Sequence, residues 1–311
     1  MKVILHYAAS PGLRARVARL DGLEIVVVEE RDRDTFLRAI ADTDVLWHSL
    51  ERVTPQVIEA APKLKLVQKI GVGVDTIALD ACKARGIAVC NMPGTNTQAV
   101  AEMTLALMFA ALRRIAALDT ATRAGRGWTF QPAFFDGIGE VGGRTVGLVG
   151  YGAVPRKLAP VLRALGAGVI AWSRTPPDDG TPSVPLDDLL ARSDIVSLHV
   201  PATPDTTGML SARRIAAMKP GAILINTARG ALVDEAALVA ALKSGQLTAA
   251  GLDVFVDEPV NANRPILTLP NVVATPHVAW VSDGTFARSL AVAVENCRRL
   301  DAGENLLHRI V

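Results

Sequence analysis

The chain has 311 residues, half of them hydrophobic, with 33 basic and 31 acidic side chains and a formal net charge of +2. That length suits two domains of ordinary size, the apolar content excludes a disordered chain, and the charge balance excludes a dedicated nucleic-acid binder with its basic stripe. Three sparse cysteines, Cys82, Cys90 and Cys297, argue against a disulfide framework or a zinc site and suit a reducing, cytoplasmic setting.

The first ten residues carry one Lys and a short apolar run, so they read as a strand rather than a signal peptide. Residues 3–5, 23–28, 45–47, 66–70 and 87–90 are short apolar runs of the strand type. Segments with helical spacing, 12–20, 34–41 and 54–60, separate the first four. Such alternation predicts a parallel sheet with helices on both faces. The turn-rich stretch from Asn91 to Asn96 breaks the rhythm. Residues 99–118 then predict one long helix, too apolar for an ordinary surface helix and suited to a core, an interdomain contact or a subunit contact. The longest membrane-like run, 103–112, stops at Arg113-Arg114, well short of the about 18 apolar residues a span needs. Residues 125–143 are loop-rich and place Trp128, Phe130, Phe134 and Phe135 in polar surroundings, which suggests a chain crossover or a subunit contact.

A second alternating series opens at Thr145. The run TVGLV is followed by Gly150-Tyr151-Gly152-Ala153-Val154-Pro155, a segment with Leu158, Val161, Leu162 and Leu165 at helical spacing, and a second apolar run over 168–172. Strand, glycine turn, helix and strand form the unit that holds a dinucleotide. Gly150 permits the turn, Gly152 lets backbone approach a pyrophosphate, and the helix N-terminus presents free N–H groups. Pro155 stands where the third fingerprint glycine belongs; its ring is expected to hold the helix slightly off the sheet. Further strands are predicted over 195–200, 222–226, 249–254 and 272–274, and a final helix over 282–300. Their ends carry His199, Thr227-Ala228-Arg229, Asp253 and Thr275-Pro276-His277. Ligands of open α/β sheets sit at such carboxyl ends.

Arg229, Glu258 and His277 are the candidates for chemistry. Reduction of a carbonyl by hydride needs a proton donor, which an imidazolium supplies, and a neighbouring carboxylate favours that charged form. A guanidinium can clamp a carboxylate through two hydrogen bonds and polarise the adjacent carbonyl. The set therefore suits a 2-oxo acid and its 2-hydroxy counterpart. No acid stands at the position that binds the ribose 2′-hydroxyl in NAD-specific sites; Ser173, Arg174 and Thr175 follow the second strand, and Asp178 comes only after Pro176-Pro177. These residues favour NADP, with NAD as the alternative.

The motifs from Lys69-Ile70-Gly71-Val72-Gly73-Val74-Asp75, through Asn91–Asn96 with Val100-Ala101-Glu102, Ser197-Leu198-His199-Val200-Pro201 with Thr206, Met218-Lys219-Pro220-Gly221-Ala222, Asn226-Thr227-Ala228-Arg229-Gly230, Gly251-Leu252-Asp253-Val254-Phe255 and Glu258-Pro259, to Thr275-Pro276-His277 resemble the D-2-hydroxyacid dehydrogenase family. The resemblance implies two Rossmann-like α/β domains with the cofactor domain inserted: 1–97 for substrate, 98–282 for the dinucleotide, and 283–311 returning to the first. It implies Arg229 as substrate holder, His277 as acid/base and Glu258 as its tuner. The N–H groups of Val72 and Gly73 would bind the substrate carboxylate. The cofactor would lie along Gly150, Tyr151, Gly152, Ala153, Val154, Ser173, Arg174, Thr175, His199, Pro201, Thr206, Thr227, Ala228, Arg229 and His277, with Asp253 at its nicotinamide end. A homodimer through the cofactor domains would be usual. His277-Val278-Ala279-Trp280 is similar to the glyoxylate and hydroxypyruvate reductase branch, where Trp280 would close one side of a small pocket; otherwise it is a core tryptophan at a domain seam. Two rivals remain. A corepressor-like protein of the same fold would bind dinucleotide without turnover, and a formate dehydrogenase would leave Glu258 beside His277 idle.

Overall fold

The computed structural model describes residues 1–129, 132–135 and 137–311. It forms two compact units, Met1–Asn96 with Val281–Val311, and Thr97–Trp280. In chain order the first contains β1 (Lys2–His6), α1 (Pro11–Val17), β2 (Glu24–Val28), α2 (Arg33–Ile40), β3 (Val45–His48), α3 (Pro55–Glu59), β4 (Leu66–Lys69), α4 (Leu79–Ala84) and β5 (Ala88–Cys90). All strand pairs are parallel, in the order β2-β1-β3-β4-β5. Successive residues of the central strands alternate between faces. Leu46 and Val67 join the cluster of Phe36, Ile40, Val57 and Ile58 from α2 and α3. Gln68, which follows Val67 in sequence, is fully buried and accepts from Asn296 of the C-terminal segment.

The second unit holds α5 (Thr97–Leu112), α6 (Ile115–Arg123), β6 (Thr145–Val149), α7 (Ala153–Ala164), β7 (Gly168–Trp172), α8 (Leu186–Arg192), β8 (Ile195–Leu198), α9 (Ala212–Ala216), β9 (Ala222–Asn226), α10 (Glu235–Ser244), β10 (Leu247–Leu252) and β11 (Val272–Ala274). The chain then returns to the first unit with α11 (Asp283–Asp301), capped by the Ser282 hydroxyl on the Thr285 N–H. The six-stranded sheet runs β11-β10-β9-β8-β6-β7, all parallel. A single bridge from Ala171 to Ser183 extends its β7 edge, so the order matches the doubly wound arrangement with a vestigial third strand. Val146, Leu148, Ile223 and Ile225 pack under Leu107, Met108, Leu158 and Leu162 of α5 and α7. Val196, Leu198 and Leu224 face Leu189, Leu190, Leu238 and Leu242 of α8 and α10. Truncating a fully buried leucine such as Leu148 or Leu158 to Ala would cost about 2–5 kcal/mol.

Two expectations need correction. The long helix of 99–118 is two helices: Arg114 takes a left-handed conformation (φ 53°) that ends α5. Its guanidinium donates to the Phe134 carbonyl and lies 5.0 Å from that ring's centre, holding the chain out of line. α6 buries none of its residues. In α7 only Leu158 and Leu162 of the four spaced apolar positions are buried; Val161 and Leu165 are exposed, and Pro155 and Ala159 complete the packed face. Pro155, in the first turn of α7, is itself buried in that face together with the completely buried Leu158 and Leu162. Pro160 lies inside α7 on its solvent side, where water can satisfy the carbonyl its missing N–H leaves open. Trp128 is exposed, and Phe130 lies outside the described residues. Among the described residues no helix is long and apolar enough to cross a membrane.

Candidate active site

Because every strand of the second sheet is parallel, Gly150, His199, Thr227, Asp253 and Thr275 all leave the sheet at one edge. β6 lies between β7 and β8, whose connections run to opposite sides, and Gly150 stands at that switch point. Gly150 has φ +97°, and a Cβ there would lie 2.6 Å from the His199 carbonyl oxygen, so no other residue fits without displacing backbone. Gly152 is the opposite case. A Cβ on it would meet nothing within 4 Å, and α7 begins directly after it with no side-chain cap. Open space over the first N–H groups of a twelve-residue helix fits a pyrophosphate.

Tyr151 does not face that space with its hydroxyl, which donates to Asp179 (2.6 Å) and pairs with Thr181 (2.6 Å). Arg156 binds Asp178 and lies over the Tyr151 ring. Both acids that follow Pro176-Pro177 are thereby committed. Ser173 turns its hydroxyl back to the Thr175 carbonyl. Arg174 is exposed and makes no ion pair among the described residues. His199 is neutral, its imidazole pushed by burial down to about 3, and it shares a hydrogen bond with Ser197. Beyond Pro201, the Thr206 hydroxyl closes its own loop, donating to the Pro201 carbonyl and accepting from the Thr203 N–H.

The turn after β9 is shaped by Asn226, a buried residue that the sequence did not single out. Its side chain accepts from the Ala228 N–H and donates to the Arg229 carbonyl, bracketing Thr227 and Ala228. Thr227 shares a hydrogen bond with Thr104 of α5. Gly230 then allows the turn to lie directly on the next loop, since a Cβ there would sit 2.0 Å from the Phe255 carbonyl carbon. That close approach brings Arg229 into the electrostatic neighbourhood of Glu258.

His277 sits in a left-handed conformation (φ 55°), unusual for a residue with a Cβ, and its surroundings enforce it. Its N–H donates to the Asp253 carbonyl and its own carbonyl accepts from the Trp280 indole. Asp253 is fully buried, and its carboxylate accepts from the Thr275 hydroxyl and the Val278 and Ala279 N–H groups. It anchors the loop that carries His277. The His277 Nδ1 lies 2.6 Å from Glu258 Oε2, while Glu258 Oε1 accepts from the Phe255 N–H. Burial alone would raise the Glu258 carboxyl. The hydrogen bond and charge of His277, the Phe255 N–H and the charge of Arg229 outweigh it and hold the group below the ordinary glutamate value. The structure thus brings together Glu258, His277, Asp253 and Trp280 by contact and Arg229 by charge.

In the first unit, Val72 and Gly73 follow β4 at the same kind of sheet edge, and Val72 is exposed.

The family model for the NAD-binding domain of D-isomer-specific 2-hydroxyacid dehydrogenases matches residues 105–279, more than half the chain. The chain belongs to this family. Among its relatives in the D-2-hydroxyacid dehydrogenases is the D-3-phosphoglycerate dehydrogenase of Mycobacterium tuberculosis, 41% identical over 290 residues, which are 91% of this chain but 54% of that protein. The chain therefore spans about half the length of that relative. The glyoxylate reductase of Aeropyrum pernix is 37% identical over 291 residues, 89% of this chain and 87% of that one. The NADPH-dependent glyoxylate/hydroxypyruvate reductase of Sinorhizobium meliloti, solved with citrate, superposes with a TM-score of 0.86 at 31% identity, covering all of this chain and 97% of its own.

The Glu258–His277 pair gives this dehydrogenase-family chain a pH signature. A carboxyl held below its unfolded value adds stability above that value, 4.5, and loses it as pH falls through the lower folded one. Glu258→Gln is therefore expected to melt lower than the wild type at pH 7, with the gap closing below about pH 4.5. Melting curves from pH 7 to pH 3 check this, and a gap that does not narrow would mean that the pair contributes no favourable charge interaction.

Proposed function

We propose that the protein is an NAD(P)H-dependent reductase of a small 2-oxo acid such as glyoxylate or hydroxypyruvate, with His277 as proton donor. The observation that carries this reading is the 2.6 Å contact between His277 Nδ1 and Glu258. With Nδ1 held, Nε2, which has no partner among the described residues, is the nitrogen left to deliver a proton. When bound, the nicotinamide supplies the hydride. His277 then protonates the carbonyl oxygen as the C–H bond forms, and Arg229 holds the carboxylate and polarises the carbonyl. The Val72 and Gly73 N–H groups take the substrate carboxylate. Trp280 supports this by fixing the His277 backbone from beside the site. The likeness to glyoxylate reductases along nearly their full length supports a small substrate.

For the cofactor, Asp178 and Asp179 are committed to Arg156 and Tyr151 and offer no free carboxylate to a ribose 2′-hydroxyl, and Arg174 is an exposed cation with no ion pair among the described residues. NADPH should therefore be preferred, with the 2′-phosphate on Arg174. In wild type, kcat/KM for NADPH should exceed that for NADH, and Arg174→Ala should lose most of that margin. A wild type that prefers NADH, or an Arg174→Ala with the margin intact, contradicts the assignment. The reading includes a cytoplasmic homodimer, for which the exposed Ile115, Trp128 and Phe135 of the second unit supply apolar surface; sedimentation at twice 32.8 kDa would report it.

A further inference from the structure

Two carbonyls of the Gly71-Val72-Gly73 loop, those of Gly71 and Val72, are tied to the segment that follows β5. The Met92 N–H donates to the Gly71 carbonyl at 2.8 Å, and the Asn91 side-chain amide donates to the Val72 carbonyl at 3.0 Å. These peptide bonds are trans, so each N–H points opposite to the carbonyl of its own peptide plane. Fixing the carbonyls of Gly71 and Val72 on Asn91-Met92 therefore turns the N–H groups of Val72 and Gly73 the other way, together. Neither N–H has an acceptor among the described residues.

Asn91 is itself held. It is buried, and its own backbone N–H donates to the His308 carbonyl. Gln68, fully buried in β4, donates from its amide to the Cys90 carbonyl at 3.2 Å and reaches the Asn91 carbonyl at 3.4 Å. The Gln68 oxygen accepts from Asn296 of α11, which is in turn fixed to both backbone groups of Leu307. Arg288, also on α11, donates to the Thr95 carbonyl and holds the far side of the same turn. Among the described residues the buried Asn91 side-chain oxygen has no partner, so its amide group is retained at a desolvation cost, and the side chain's bond there goes to the Val72 carbonyl.

We propose that Asn91 is a positioning residue for substrate: through the Val72 carbonyl it aims the Val72 and Gly73 N–H groups at the carboxylate of the 2-oxo acid. This rests on the assignment of that carboxylate to these two groups. The test uses the full-length protein with NADPH and glyoxylate, in wild type, Asn91→Asp and Asn91→Leu. Asp keeps the shape but sets an acceptor against the Val72 carbonyl; Leu removes the polar group. The glyoxylate KM is expected to rise about tenfold in both, with kcat within about twofold and NADPH affinity unchanged. In protein labelled with 15N-glycine and saturated with NADPH, the Gly73 amide resonance should move on adding oxamate, and Asn91→Asp should need about ten times more oxamate for the same movement. A folded variant with unchanged KM, or one that loses kcat at constant KM, overturns the role of Asn91. If Asn91→Leu does not fold, the isosteric Asp variant still decides. A wild-type Gly73 amide that ignores saturating oxamate overturns the carboxylate assignment itself, and the inference with it; a normal wild-type response that Asn91→Asp shares overturns the inference alone.

Discussion

His277→Ala is expected to lower kcat/KM for 2-oxo acid reduction by about 10²–10⁴-fold, the usual worth of a positioned general acid. The cofactor should still bind, because the glycine turn and the start of α7 lie on other elements. The size of the effect follows from how completely the imidazole is placed. Its backbone is pinned on both sides by the Asp253 carbonyl and the Trp280 indole, its loop is anchored by the Asp253 carboxylate, and Nδ1 is held by Glu258. Water entering the gap left by Ala has none of that orientation. Steady-state kinetics with glyoxylate and a fluorescence titration of NADPH check the two halves separately. Turnover within a few-fold of wild type would remove His277 from the reaction, and loss of NADPH binding would mean that the substitution acts through the fold.

Arg229→Lys is expected to cost on the order of 10²-fold in kcat/KM although the charge is kept. The backbone that presents Arg229 is rigid: Asn226 brackets it from within, and Gly230 lets it lie against Phe255. The side chain is steered as well, by a 2.7 Å bond from Nη1 to the Ala228 carbonyl. A planar fork presented this way can bind a carboxylate through two parallel bonds, whereas an ammonium meets it as a point charge. Both KM for glyoxylate and kcat should worsen. A Lys variant with wild-type kinetics would contradict the clamp.

The parallel architecture was legible because short apolar runs alternated with helical spacing, and that topology forces every strand to present its end at one edge. His199, Arg229, Asp253 and His277 were found for that reason. The break at Arg114 was not legible: Ile115, Ala116, Ala117 and Leu118 are as apolar as the residues before the Arg pair, and a left-handed residue in the middle of such a run leaves no compositional trace. The helix α4, which follows the Gly71–Gly73 loop, and α8, after Pro185, are short and lack a side-chain cap, so no start signal in the sequence marks either one. Spacing could not pair Glu258 with His277, nineteen residues apart across an intervening strand, because only the folded sheet edge brings them together. Polar residues at strand ends also look alike in sequence whether they face a ligand or the backbone. Asn226 and Asp253 turn out to hold loops through their side chains, and Tyr151 and Thr206 use their hydroxyls on neighbouring protein groups. The Asn91 amide belongs to the same class, visible only once its bond to the Val72 carbonyl is seen.

The most direct measurement is a turnover screen. Glyoxylate, hydroxypyruvate, pyruvate, bulkier 2-oxo acids and 3-phosphohydroxypyruvate are each offered with NADPH and with NADH, and cofactor oxidation and product are followed together. One-to-one conversion of glyoxylate or hydroxypyruvate to the 2-hydroxy acid is expected, fastest with NADPH and lowered about 10²–10⁴-fold by His277→Ala. Binding of the reduced cofactor without turnover of any 2-oxo acid would contradict it and favour a dinucleotide-sensing role. Turnover confined to the phosphorylated substrate would keep the family chemistry and contradict the small-substrate reading.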